Sequence, residues 1–316
     1  MSRVPAILLP DFDDRDDVAR AALRRWTERA TDLALVSRGA NFTYRFVDGG
    51  RRRYLRLVPP GWRTRAELAG EVAFMEHLRT RGVPLSAPVA TSAGAFVVAA
   101  PSSAGECHAL VFEAVEGHAE DDVHWTPEQA YEAGRLMARM HVASYRFSLP
   151  PGTSRPSWRD EFVALERELP ESETDLWDII HEARALFETL PPTPDSYGVV
   201  HFDLSGDNIV WRGLSPAAID FDDCLTHWYI ADITRTVAYF REQARGAVGA
   251  QERAFMEGYE MVRPLGDAWQ ALLPRFLRLA LISELAWVVD AGDDGAVEFA
   301  PGATENLRAI IAGMEI

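Results

Sequence analysis

Lysine is missing from this chain: all 32 of its basic residues are arginine. That excludes Schiff-base chemistry through a lysine. Any phosphate contact that would ordinarily fall to lysine must come from arginine or from backbone amides. Cysteine is nearly absent as well. Cys107 and Cys224 are far apart and form no metal-binding spacing, so a reducing cytosol is the expected compartment and a disulfide is not expected. Long apolar runs are also lacking. The best, Leu277 to Val289, is broken by Arg278 and Glu284, which excludes a membrane span there. The N-terminal M-S-R-V-P-A-I-L-L-P-D has too short an apolar run for a secretory signal and turns acidic at once. A cytoplasmic protein with no membrane partner is the expectation.

Positive charge is scarce overall. The net charge of −16 argues against nucleic acid as a partner, because phosphate backbones are bound by basic faces. The charge is also uneven. Residues 1–115 hold 16 Arg against 13 acidic residues, a net of +3, whereas residues 116–316 hold 16 Arg against 35, a net of −19. The first part suits a polyphosphate ligand and the second a cationic one, although acidity also serves plain solubility. At 316 residues, 47% apolar and 25% charged, the chain is long enough for two lobes and a sizeable core.

In chain order, Asp11 to Ala30 reads as an amphipathic helix with Val18, Ala22, Leu23 and Trp26 on one face. Three short strands follow, joined by S-R-G-A-N and by D-G-G, the second a strong hairpin signal. Leu68, Val72, Met75 and Leu78 recur at helical spacing before Gly82. A-F-V-V-A-A and H-A-L-V-F-E-A-V-E-G then read as two further strands. From Thr126, an N-cap followed by Glu128 and Gln129, the pattern is helical. A Pro/Gly-rich joint at Leu149 to Ser157 precedes an acidic stretch, Trp158 to Leu190, with one or two helices. The remainder from His227 reads as four helices broken near Gly246, Pro264 and Asp293–Phe299. The expected boundary divides 1–115 from 116–316.

The stretch Val199 to Cys224, V-V-H-F-D-L-S-G-D-N-I-V-W-R-G…A-A-I-D-F-D-D-C, carries the chemistry. His201, Asp203 and Asn208 form H-x-D-x-x-x-x-N, and Asp220 stands in a D-F-D turn beyond a short hairpin. That order is the catalytic-loop and metal-loop spacing of kinases. Phosphoryl transfer needs a carboxylate that orients the acceptor hydroxyl, the role expected of Asp203. It also needs oxygen ligands for Mg²⁺, expected of Asn208 and Asp220. Asp222 and Asp223 are open between a metal-assisting, a substrate-touching and a merely solvated role.

These residues, with G-R-L-M-A-R-M-H (Gly134 to His141) and W-Y-I-A-D-I (Trp228 to Ile233), make most of the chain resemble the superfamily of aminoglycoside phosphotransferases, choline kinases and homoserine kinases. The resemblance implies an α+β, bilobal protein-kinase-like fold, with a small antiparallel-sheet N-lobe and a larger, mainly helical C-lobe. It implies a structural role for His201 and places Asp232 where kinase-like folds use an Asp to accept backbone N–H bonds from the catalytic loop. Gly39 and Asn41 fall in the family's nucleotide loop. Arg56 stands in the place of the β3 lysine, with Glu71 as its ion-pair glutamate. Backbone groups near Glu113 and Val115 would meet the adenine edge. No Walker A motif and no G-x-G-x-x-G is present.

The acceptor site is less legible. Asp223 and Glu284, with the aromatics Trp228, Tyr229 and Trp287, could cradle an ammonium or a sugar ring, yet each is individually as compatible with core or surface. The expected function is O-phosphorylation of a small hydroxylated, cationic molecule, of aminoglycoside or amino-alcohol type, using ATP (or GTP) and Mg²⁺. Two rivals stay open: a protein Ser/Thr kinase of the same superfamily and a non-catalytic nucleotide-binding pseudokinase. The short Cys224 to Ile230 stretch leaves little room for the activation segment that the first would need.

Overall fold

The computed structural model describes residues 14–119, 125–293 and 302–314. The chain divides into two compact units, 1–116 with 148–155, and 117–147 with 156–316.

The first unit opens with α1 (Arg15–Leu23), followed by β1 (Ala30–Arg38), β2 (Phe42–Asp48) and β3 (Arg51–Val58). Helix α2 (Arg65–Thr80) comes next, then β4 (Pro88–Val89), β5 (Val98–Ser102) and β6 (Gly105–Glu113). The strands form one antiparallel sheet in the order β1-β2-β3-β6-β4, with β5 also paired to β6. Alternation decides the faces. Phe42, Tyr44 and Phe46 of β2 and Leu55 and Leu57 of β3 point into one core with Val18, Ala22 and Leu23 of α1. Arg56, between two core leucines, therefore points to the other face, where it meets α2. A capping box starts α2: Thr64 Oγ1 accepts from Glu67 N–H and the Glu67 carboxylate accepts from Thr64 N–H.

Helix α1 is shorter than the sequence pattern predicts, and Asp11 to Asp13 lie outside the described residues. Arg25 and Trp26 donate to carbonyls only three residues back, which tightens and ends the helix. Trp26 then donates its indole N–H to Val89 O at 2.7 Å, and Thr27 its hydroxyl to Asp48 at 2.8 Å. Residues 26 and 27 thus serve the sheet rather than a longer helix.

The Pro/Gly joint is more than a linker. Ser154 N–H donates to Ala66 O at 3.0 Å, and Gly70 of α2 makes room for the passage, since a Cβ there would lie 2.1 Å from Ser154 O. Only glycine permits that approach.

The second unit holds β7 (His118–Ala119), α3 (Pro127–Ser144), α4 (Trp158–Glu168), α5 (Thr174–Thr189), β8 (Tyr197–Val200), β9 (Ile209–Arg212), β10 (Ser215–Ala218) and β11 (Leu225–Trp228). Helices α6 (Tyr229–Gln243), α7 (Ala250–Glu260), α8 (Asp267–Gln270), α9 (Leu273–Asp293) and α10 (Ala303–Ala312) complete it. Where four helices were expected after residue 227, the described residues thus contain five, one of them a single turn. The expected start at His227 is also late strand, not helix. The break expected at Asp293–Phe299 lies almost wholly outside the described residues. None of the described helices is long and apolar enough to cross a membrane.

Two small ladders position the loop. β8 pairs with β11, Val200 opposite Leu225 and Tyr197 opposite Trp228. Everything from His201 to Cys224 is therefore one excursion hung between two hydrogen-bonded strand ends. Within it, β9 and β10 form a hairpin whose open side pairs with β7.

Candidate active site

The excursion begins on a backbone that most residues avoid. Phe202 has φ +70°, the left-handed region, and so does Asp220 at φ +55°. A non-glycine residue held there stores on the order of 1 kcal/mol or more, and persists only when its surroundings over-determine it. At Phe202 the cause is Asp232, in the first turn of α6. Its Oδ1 accepts from Phe202 N–H at 2.7 Å and its Oδ2 from His201 N–H at 3.3 Å. Asp232 is fully buried, so these bonds form in a low-dielectric setting where charge-assisted pairs are strong. The Phe202 ring stacks on His227 (centroids 5.6 Å apart, planes at 18°), and the Arg235 guanidinium lies 5.0 Å from its centroid. Backbone and ring are held together.

His201 ties the two ends of the excursion. Its Nε2 sits 2.9 Å from Ile219 O, and its Nδ1 accepts from Asp203 N–H at 3.3 Å. A carbonyl can only accept, so Nε2 carries the proton and the ring is the neutral tautomer. The residue before Asp220 is thereby bonded to the residue two before Asp203. Asp203 is 9% exposed and Asn208 8%. The Asn208 amide nitrogen donates to Asp203 Oδ2 at 2.7 Å and to Asp203 O at 2.9 Å. With its nitrogen so occupied, Asn208 has its oxygen left to accept, and that oxygen and the carboxylate of the exposed Asp220 are atoms that could serve a cation as oxygen donors. A hard cation that retains water and phosphate ligands fits such a set. Asp220 Oδ1 also accepts weakly from Asp222 N–H at 3.4 Å, which shapes the turn. Asp222 is buried and Asp223 half-buried.

In the first unit Arg56 and Glu71 meet as expected. The Arg56 Nη2 lies 2.5 and 2.6 Å from the two Glu71 oxygens, with the pair 5% and 0% exposed. The guanidinium also rests over the Phe112 ring, 5.0 Å from its centroid, which lysine could not match in area. Gly39 N–H donates to Asn41 O at 3.1 Å in the β1–β2 turn, and a Cβ on Gly39 would meet nothing within 4 Å. Glu113 is placed differently from its expected use. Its N–H is committed to Ala87 O and its carbonyl accepts from Ser86, while its side chain pairs with Arg53 at 2.9 Å. The backbone of Val115 makes no such bond among the described residues.

The aromatic acceptor candidates sit in the core. Trp228 is 1% exposed and packs against Trp158, Phe187 and Tyr197, and Tyr229 is 2% exposed and stacks on His141. Trp287 is 6% exposed. A ring buried on all sides has no face for a ligand, which corrects the expectation for Trp228 and Tyr229. Glu284 remains partly exposed, 4.0 Å from Arg235. Missed by the sequence reading were Arg235, His227 and the residues that brace Asp232. His141 stands in the segment that carries the family resemblance, but no local spacing links it to a partner 91 residues away.

Comparison with known proteins bears on the family and the fold. The chain is 26% identical over 280 residues to amicoumacin kinase of Bacillus subtilis (strain 168), covering 85% of this chain and 82% of that protein. It is 30% identical over 251 residues to a homoserine kinase of Xanthobacter autotrophicus, 78% of this chain and 76% of that one. Among solved structures, an amicoumacin kinase in complex with AMP-PNP, Ca²⁺ and Ami superposes with a TM-score of 0.81 at 24% identity, over 96% of this chain and 93% of that one. A microcompartment-associated aminopropanol kinase gives 0.72 at 26% identity, over 95% of each. The family model of phosphotransferase enzymes matches residues 32–269, and with that span the chain belongs to the phosphotransferase enzyme family.

Proposed function

We propose that this protein is an ATP-dependent O-phosphotransferase, assisted by Mg²⁺, that acts on a small hydroxylated molecule carrying an amine. The observation that supports it best is the state of Asp203: a carboxylate oriented by the Asn208 amide, on a loop whose strained backbone Asp232 holds in place. In phosphoryl transfer little covalent work falls to the protein, and orientation of the hydroxyl supplies much of the rate. Asp203 accepts the acceptor's O–H as a hydrogen bond and takes its proton as the new bond to the γ-phosphorus forms and the bond from that phosphorus to the bridging oxygen breaks, ADP leaving with that oxygen. Asn208 Oδ1 and the Asp220 carboxylate are the residues that would hold Mg²⁺, which when bound neutralises phosphate oxygens. Arg56, kept in register by Glu71, is assigned to the nucleotide phosphates in place of a lysine.

The acceptor class rests on charge and on kinship. The second unit is acidic, and the relatives named above include kinases of homoserine and of aminopropanol, both amino alcohols. A protein substrate is disfavoured because β11 begins at Leu225, five residues past Asp220, and α6 follows at once. A coupled ADP-release screen across amino alcohols, aminoglycosides and nucleosides tests the reading. Turnover is expected with at least one amine-bearing alcohol. ATP consumption no faster than the blank throughout, or turnover only with neutral or anionic acceptors, would overturn it.

A further inference from the structure

Two glycines bring helices α3 and α7 into backbone contact. A Cβ on Gly134 would lie 2.0 Å from Phe255 O, and one on Gly258 would lie 2.0 Å from Tyr131 O. No side chain survives at such distances, so the crossing is built on glycine at both positions. It sets Tyr259, the neighbour of Gly258, against His141, two turns along from Gly134. The Tyr259 hydroxyl is 2.8 Å from His141 Nδ1, and His141 Nε2 is 2.9 Å from Asp232 Oδ2. Tyr229 stacks on the imidazole at 4.6 Å. His141 and Asp232 are 0% exposed and Tyr259 1%.

The hydrogen positions follow from chemistry. Asp232 is an acceptor, so His141 Nε2 carries the proton; Nδ1 must then accept, and Tyr259 O–H donates. Burial, against the pull of Asp232, holds the His141 pKa below the ordinary histidine value, in the direction that favours this neutral tautomer. A single directed chain results: Tyr259 O–H to His141, His141 N–H to Asp232, and Asp232 accepting from the backbones of His201 and Phe202. Bonds aligned in one direction polarise one another in a dry interior. Three donors fix the Asp232 carboxylate, the carboxylate fixes the left-handed turn at Phe202, and the next residue is Asp203.

We propose that His141 and Tyr259 are positioning residues for phosphoryl transfer, setting the attitude of Asp203 through Asp232 from two helices that carry none of the reacting groups. The proposal rests on the role given to Asp203 above. Without the His141 proton, Asp232 keeps two backbone donors but loses the shorter of the two bonds at Oδ2, and the Phe202 turn can relax. Small displacements of a positioning group cost rate and leave binding nearly intact.

The test uses the full chain with Tyr259→Phe, His141→Leu and His141→Gln. Hydrogen exchange of peptides spanning 199–208 needs no acceptor. Faster exchange there in Tyr259→Phe and His141→Leu is expected, with α3 and α7 exchanging as in the wild type. Steady-state kinetics with an acceptor from the screen should show kcat lowered about tenfold in both variants and KM for both substrates unchanged. His141→Gln, which restores a donor toward Asp232, should recover part of kcat. Unchanged exchange at 199–208, or a change in KM with kcat intact, would overturn the proposal. If His141→Leu does not fold, Tyr259→Phe, which deletes one oxygen, decides alone. A wild type that phosphorylates no acceptor refutes the functional reading, while the exchange measurement still decides the relay.

Discussion

A phenylalanine at φ +70°, one residue before Asp203, shows how residue-level physics builds this site. The conformation is unfavourable in itself and exists because Asp232 accepts from two successive N–H groups. Local spacing made Asp203, Asn208 and Asp220 legible in the sequence, since they lie within one excursion of the chain. The residues that brace it come from far away: Asp232, His141 and Tyr259 lie up to 118 residues from their partners, and no periodicity links them. Trp228 and Tyr229 misled for a related reason. An aromatic pair beside a catalytic motif looks the same in sequence whether it faces a ligand or the core. The Arg56–Glu71 pair, by contrast, was implied by the family resemblance, which gives a strand position and a helix position that face each other. Because both partners are almost fully buried, Arg56→Ala would strand a desolvated carboxylate and should cost about 3–5 kcal/mol in urea unfolding. The double change Arg56→Met with Glu71→Leu should recover most of that loss. A single-variant loss under ~1 kcal/mol would contradict the buried pairing.

Among the elements, the long helices and the first-unit strands were legible because apolar residues repeat at their period. The two-residue strands β4 and β7 were not, since so short a pair carries no periodicity, and the 148–155 segment revealed its packing role only through Gly70. The packing of α6 against α9 makes a prediction of its own. Burial first, and then Glu284 of α9, push the Glu242 carboxyl up from 4.5 to about 7. Between about 4.5 and 7 the folded protein thus holds a proton that the unfolded chain has released. Stability from this group is accordingly full at the acid end and declines as pH rises through that window. Glu242→Gln should flatten the decline and, given the partial exposure of the site, raise stability by on the order of 1 kcal/mol at pH 8. Melting curves of the two proteins from pH 5 to 8 check this. A parallel pH dependence in both would contradict it.

For the whole molecule, charge separates along the chain as it does between the two units. A net of −19 over residues 116–316, in the part that holds the Asp203 loop, attracts cations over a range set by ionic strength. With a screening length of about 30 Å at 0.01 M salt and about 10 Å at 0.1 M, KM for an amine-bearing acceptor should rise several-fold between those conditions. A neutral acceptor should show no such change. Equal salt responses for the two would contradict a charge-selected acceptor. Everything at this scale still converges on one carboxylate. The most direct test is Asp203→Asn, measured both by transfer of the ATP γ-phosphate to an acceptor and by nucleotide binding at equilibrium. Transfer should fall by about 10²–10⁴-fold with ATP affinity unchanged, and retained transfer at the wild-type rate would contradict the account.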